Sequence, residues 1–234
     1  MTKPADGFWP KCWRIFKRVV LILFISQFIY ILLLKWVNPP VTLTQLVSLI
    51  TGHGLKRDYV SGKNMSPNAK LAVMASEDQQ FPDHDGFDWK SIEKAMAYNK
   101  KKPNRVRGAS TISQQVAKNV FLWQGRGWIR KGLEVYFTFM IEHIWGKKRI
   151  LEVYLNVAEM GKGVFGIEAA SQKYFNKSAK RISRTEAAMI ASCLPNPKKY
   201  SVKPVSKYVN RRYPWVIQQM NNLYGDPEIK ILLK

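Results

Sequence analysis

Cysteine, histidine and acid are all scarce in this chain. Two cysteines and three histidines are spread over 234 residues. There is no C-x-x-C pair, and the histidines are scattered, which argues against a structural zinc site. Cys12 and Cys193 fall on either side of a long apolar stretch, so a bond between them within one chain is not expected. Acid is outnumbered, with 16 Asp and Glu against 38 Lys and Arg, a net charge of +22. That excess says nothing about fold. It points to anionic partners such as nucleic acid, acidic lipid headgroups or phosphorylated substrates. Internal repeats and low-complexity segments are missing, and strand-like alternation is rare. A hydrophobic content of 46% excludes a disordered chain.

One long hydrophobic run is present. Residues 19–37 read VVLILFISQFIYILLLKWV. Nineteen helical residues cover about 28 Å, close to the roughly 30 Å hydrocarbon core of a bilayer. Lys35 and Trp36 close the run where interfacial anchors belong. Lys3, Lys11, Arg14, Lys17 and Arg18 precede it against a single Asp6, so the positive-inside rule places residues 1–18 in the cytoplasm. No small-residue cleavage pattern follows, and an uncleaved anchor is expected. Residues 38–234 then lie outside the cytoplasmic membrane, which removes nucleic acid from the expected partners.

Helical spacing dominates the remainder. Ser66-Pro67 reads as an N-cap and first turn. Asp88 is placed to cap WKSIEKAMAYNKK, and Ser110 or Thr111 to cap TISQQVAKNVFLW, whose Ile112, Val116 and Val120 should face a core. A further helix is expected over Trp128–Trp145. KKRILEVYLNVAEMG is amphipathic, with Gly161 as a candidate C-cap. Ser183 and Glu186 form a capping box. The sum is a mainly α domain.

Against the basic background, SEDQQFPDHDGFDW (76–89) gathers six acidic or imidazole side chains. Glu77 and Asp78 could simply solvate a helix end. Their interleaving with Phe81, Phe87 and Trp89 on a loop instead suits a cleft wall that binds sugar rings, where a partly desolvated Glu becomes a usable base or acid. Arg126, Arg130 and Glu134 recur every four residues with Lys131 nearby. They read equally as a surface ion-pair ladder, worth under about 1 kcal/mol, or as a cationic stripe for phosphate oxygens. In RGASTISQQVAKN, Gly108 and a helix N-terminus form an anion-binding arrangement, with Lys118 two turns along.

Four segments occur in a telling order: EDQQFPDHDGFD (77–88), GASTISQQVAKN (108–119), RKGLE (130–134) and KRILEVYLN (148–156). They resemble the leading motifs of the peptidoglycan glycosyltransferases, glycosyltransferase family 51. GVFGIEAASQKYFNK (163–177) is similar to a fifth region, and the likeness spans residues 55–200. It implies a lysozyme-like, mainly α glycosyltransferase domain with a large lobe and a smaller membrane-associated jaw lobe. No S-x-x-K, S-x-N and K-T-G set accompanies it, so the short monofunctional form is expected. The implied partners are lipid II, an undecaprenyl-pyrophosphate-linked glycan, the bilayer and proteins of a cell-wall synthesis complex.

By the same resemblance Glu77 is the general base and Glu134 the second functional carboxylate, in some members together with Mg²⁺ or Mn²⁺. Lys118, Arg126 and Arg130 match pyrophosphate-binding positions. Asp78, Ser110, Thr111, Gln114, Gln115 and Asn119 join them as candidates for sugar or phosphate contact, as do Lys131, Lys148 and Asn156. The nearest rival is a lysozyme-like lytic enzyme, which also uses a cleft Glu. The other is a membrane-anchored scaffold without catalysis.

Overall fold

A computed structural model describes residues 8–125 and 127–234. The chain divides into two compact units, Met1–Val37 and Asn38–Lys234. The first carries α1, Phe8–Leu33. This helix starts well before the apolar run, because its Lys and Arg residues are good helix formers and extend it into the polar flank. It ends short of Lys35 and Trp36. Trp9–Leu34 is long and apolar enough to cross a membrane. Within it the Ser26 hydroxyl donates back to the Ile22 carbonyl, the arrangement that satisfies a polar side chain in an apolar surround.

The second unit opens with α2, Leu43–Ile50, whose Thr42–Gln45 capping box closes in both directions. β1, Lys56–Arg57, follows. α3, Pro67–Glu77, begins where Ser66 accepts the Asn68 N–H at 3.1 Å and Pro67 occupies the first turn. Seven successive residues of α3, Ala69 to Ala75, are buried. A helix covered on every side is a central one, and α3 packs against both α9 and α10, which come later in the chain. A 3₁₀ turn, Phe81–Asp83, leads into α4, Trp89–Lys101, capped by Asp88 as expected.

α5 spans Ile112–Phe121, α6 Trp128–Trp145 and α7 Lys147–Val157. Ile112, Val116 and Val120 are buried, as their spacing predicts. α5 packs on α6 and α7. α7 stops four residues earlier than the amphipathic pattern indicates. Ala158 turns out of helical geometry, and its carbonyl accepts the Gly166 N–H at 2.9 Å. The residues after it form β2, Glu159–Gly161, and β3, Val164–Phe165. Gly161 is therefore not a helix cap. It sits where a Cβ would lie 1.9 Å from the Tyr174 hydroxyl. The small sheet runs β1-β3-β2, with β1 parallel and β2 antiparallel to β3. Strands of two or three residues carry no alternation to read.

α8, Ile167–Phe175, and α9, Arg184–Cys193, follow, the latter with the expected Ser183–Glu186 box. α10, Lys207–Leu223, contains Pro214, and α11, Pro227–Leu233, packs on α3. Two helix groups thus meet in one unit: α3, α9 and α10 on one side, and α5, α6 and α7 on the other.

Candidate active site

Glu77 closes α3, where the two helix groups face each other. Ser76 Oγ donates to its Oε1 at 3.1 Å, and Gln115 Nε2 on α5 donates to its Oε2 at 3.1 Å. Desolvation raises the carboxyl above its ordinary range, with Asp78 adding a smaller push; the two hydrogen bonds and the Arg212 guanidinium oppose the rise. A shift in that direction makes the carboxylate a better proton acceptor than an ordinary Glu.

Asp78, next along, is a tie-bar. Its Oδ2 accepts the backbone N–H of Ile112, the first residue of α5, at 2.9 Å. Both its oxygens lie 3.1 Å from His84 Nε2. The Gly86 N–H donates to His84 Nδ1 at 3.1 Å, so the ring proton sits on Nε2 and points at Asp78. Gly86 adopts φ +91°, and a Cβ there would lie 2.7 Å from Thr138 Cγ2. Only glycine lets this loop press so closely on α6. Lys147 fastens the same loop by donating to the His84 carbonyl and, at 2.7 Å, to Glu142.

Two cavities flank this point. The larger, about 1060 Å³, is lined by Glu77, Asp78, Ser110, Thr111 and Gln115, together with Lys94, Arg107 and Arg212. The smaller, about 370 Å³, is lined by Gln115, Lys118, Asn119, Gln124, Tyr154 and Lys198. Gln115 and Pro195 belong to both walls. Glu77 and Lys118 therefore open onto adjoining spaces with Gln115 at the divide. Burial pushes the Lys118 ammonium down and Glu134 pulls it back up. An ammonium so desolvated is stabilised by donating to an anion such as a phosphate oxygen.

Glu134, nearly buried on α6, is clasped by Arg130 at 2.7 Å and by Lys131. The ladder anticipated from the four-residue spacing is thus real but largely out of water. It includes Arg130, while Arg126 lies outside the described residues. This donor set does not fit a divalent cation at Glu134. Both carboxylate oxygens already face cations, and no cluster of three or more His, Cys, Asp or Glu occurs among the described residues.

Several motif residues serve the scaffold instead. Thr111 is the cap of α5, accepting the Gln114 N–H at 3.1 Å and donating to the Gly86 carbonyl at 2.7 Å. Gln114 closes that box by accepting the Thr111 N–H at 3.0 Å, and it is buried away from both cavities. Asn156 is buried and binds both the N–H and the carbonyl of Val60 at 3.0 Å. Lys148 is exposed at the start of α7 and lines neither cavity.

Sequence reasoning missed Arg212, Arg107 and Lys94. Arg212 reaches the Ser76 carbonyl, 136 residues away, at 3.4 Å and lies 4.9 Å over the Trp215 ring. No local pattern announces a partner that distant. Tyr154 was visible in its motif only as an apolar position of an amphipathic helix.

Comparison with known proteins places the chain in a family. The family model described as Transglycosylase matches residues 44–221. A biosynthetic peptidoglycan transglycosylase of Escherichia coli is 58% identical over 170 residues, covering 73% of this chain and 70% of the relative. The protein of the same name from Shigella boydii serotype 4 shows the same identity and coverage. A family match reaching from α2 to α10, with relatives more than half identical over 170 residues, establishes that this chain belongs to the transglycosylase family.

Proposed function

We propose that this chain is a glycan-strand polymerase of cell-wall synthesis, a peptidoglycan glycosyltransferase built on a mainly α, lysozyme-like domain. The observation that carries the reading is the junction at Gln115. A half-buried carboxylate with a raised pKa lies on one side and a desolvated ammonium on the other.

The reaction assigned to that junction joins two lipid-linked substrates. The acceptor is lipid II in the larger cavity. The donor is a growing strand on undecaprenyl pyrophosphate, with its diphosphate in the smaller one. The GlcNAc 4-hydroxyl of the acceptor attacks the donor's anomeric carbon from the face opposite the diphosphate. A β-1,4 C–O bond forms as the bond between the anomeric carbon and the diphosphate oxygen breaks, inverting the carbon. Glu77 takes the hydroxyl proton, and the diphosphate departs with the electron pair. Lys118 supplies positive charge to that leaving group from the cavity wall, and Arg130 and Lys131, held by Glu134 nearby, add to the positive field. Glu134 holds Arg130 and Lys131 in register. Ser110, Gln115 and Asn119 are the polar contacts on the cavity walls. Asp78, Thr111, Gln114 and Asn156 act by holding those walls in place.

The chain crosses the membrane once, through α1. We place its basic start in the cytoplasm and residues 38–234 on the outer side of the inner membrane, where lipid-linked precursors are displayed. Trp128 and Ile129, 94% and 80% exposed at the start of α6, are assigned to bilayer contact. The bilayer and cell-wall synthesis proteins complete the partners of this reading.

The test is polymer formation from pure lipid II. Wild-type protein should yield long glycan that moenomycin, the family's donor mimic, blocks, and Glu77→Gln should yield none while remaining folded. Cleavage of finished sacculi without polymer from lipid II would replace this reading with the lytic one.

A further inference from the structure

The carboxylate at position 77 does not stand alone. Tyr154 is buried on α7, and its hydroxyl donates to Gln115 Oε1 at 3.3 Å. The other end of the same amide, Gln115 Nε2, donates to Glu77 Oε2 at 3.1 Å. Three side chains from three helices thus form one directed chain, running from α7 through α5 to the end of α3.

We propose that Tyr154 is a positioning residue for the transfer reaction, fixing through Gln115 the amide orientation that presents a donor to Glu77. This deepens the assignment of Glu77 as base and rests on it.

The reason lies in what a primary amide does at a buried junction. Gln115 has two orientations of similar shape. In one, its NH₂ faces Glu77 and favours the ionised carboxylate. In the other, its carbonyl faces Glu77 and favours the protonated acid. The Tyr154 hydroxyl breaks the tie. Among the described residues its acceptor is Gln115 Oε1, so the orientation with NH₂ toward Glu77 satisfies every group. A flip takes that acceptor away from the buried hydroxyl, which is costly. Tyr154 itself cannot substitute as the base. Burial pushes its phenol well up, with the negative charge of Glu77 adding to the rise.

The other groups facing Glu77 act alongside this chain. Arg212 from α10 and Lys118 from α5 favour its ionised form, and Asp78 disfavours it. Cys193 from α9 also senses the carboxylate, its thiol pushed up to about 12 by burial and then by the charges of Glu77 and Glu159. None of these groups sets which face of the Gln115 amide meets Glu77.

The experiment is the pH–rate profile of lipid II polymerisation by wild type, Tyr154→Phe, Gln115→Met and the double variant. Phe keeps the ring and removes only the hydroxyl. In Tyr154→Phe the acid limb should move up by about one pH unit, the scale of one hydrogen bond to a charged group. Any loss of rate should be largest on the limb and smallest well above it, since a one-unit shift costs least where Glu77 is already ionised. Gln115→Met should move the limb by at least as much, and the double variant no further than Gln115→Met. An unmoved limb in Tyr154→Phe with a uniform fall in rate marks a merely structural tyrosine and overturns the proposal. So does a double variant whose shift is the sum of the two. If Tyr154→Phe proves too unstable to assay, an unmoved limb in Gln115→Met overturns it as well. Glu77→Gln keeps the two levels apart. If it is inactive while the limbs stay put, the positioning role alone falls; if it turns over like wild type, the base assignment falls with it.

Discussion

The Asp78 carboxylate and the Ile112 backbone N–H meet at 2.9 Å, joining the end of α3 to the start of α5. The bond does two jobs. It satisfies one of the orphan donors that every helix N-terminus leaves, and it holds Glu77, one residue away, at a set distance from Gln115 and Lys118.

That tie can be tested by Asp78→Asn. His84 Nε2–H and the Ile112 N–H both need acceptors at this point, and an amide offers one oxygen where the carboxylate offers two. One buried donor is left without a partner, at a cost of about 1–3 kcal/mol. Thermal unfolding should show the loss. Turnover should fall by more than the folded fraction accounts for, because Glu77 loses its alignment. Unchanged melting and unchanged turnover would show that the tie is dispensable.

Glu77→Gln should separate activity from stability. Polymerisation should fall by about 10²- to 10⁴-fold, the usual worth of a positioned base. Stability should move the other way. Burial raises the folded-state pKa of Glu77, so the folded protein holds that proton more tightly than the unfolded chain does. Ionisation therefore works against the fold at pH values above the folded pKa. That cost fades as pH drops through the folded value and is gone below the unfolded one, about 4.3. The variant should melt higher than wild type at pH 8 and lose that advantage near pH 4. Wild-type turnover should decline over the range in which Glu77 takes up its proton.

Glu134→Gln removes the one anion between Arg130 and Lys131. Arg130 is the more buried of the two, with a side chain 12% exposed against 43% for Lys131, so most of the damage falls on it. Breaking a largely buried pair from one side costs on the order of 3 kcal/mol. Chemical denaturation should register the loss, and turnover should fall because the cations lose their fixed geometry. Glu134→Gln with Arg130→Met should recover part of the stability but none of the turnover. Recovery of both would assign the pair to the scaffold alone.

Trp128→Ser with Ile129→Ser addresses the exposed start of α6. Burying a large apolar side chain contributes about 1.5–3 kcal/mol, so the double change should weaken vesicle binding of residues 38–234 by more than tenfold. Flotation with vesicles reads this directly. Catalysis on a short-chain, water-soluble lipid II analogue should be unaffected. Equal flotation of variant and parent would remove α6 from the bilayer surface.

Much of the fold was legible because its signals are local. Ser66-Pro67, Asp88, Thr111 and Ser183–Glu186 each start a helix through a bond to a backbone N–H two or three residues along. The small sheet was not legible, since its pairs join Lys56 to Val164 and Arg57 to Phe165 through strands of two or three residues. The site divides in the same way. Glu77, Lys118, Arg130 and Glu134 stood out by charge and motif. The duties of Gln114 and Asn156 did not, because a polar residue in a motif looks the same whether it faces a substrate or closes a cap.

Sequence alone determined the apolar span, the helical class, several helix starts and the set of ionisable residues to which we assign the chemistry. Each follows from side-chain type and short-range spacing, which the unfolded chain already contains. Tertiary structure alone decided which polar groups are stripped of water and what they meet: Arg212 and Tyr154 near Glu77, and Gln115 between two cavities. Desolvation and hydrogen-bond direction depend on neighbours far apart along the chain, and those neighbours exist only once the two helix groups have packed.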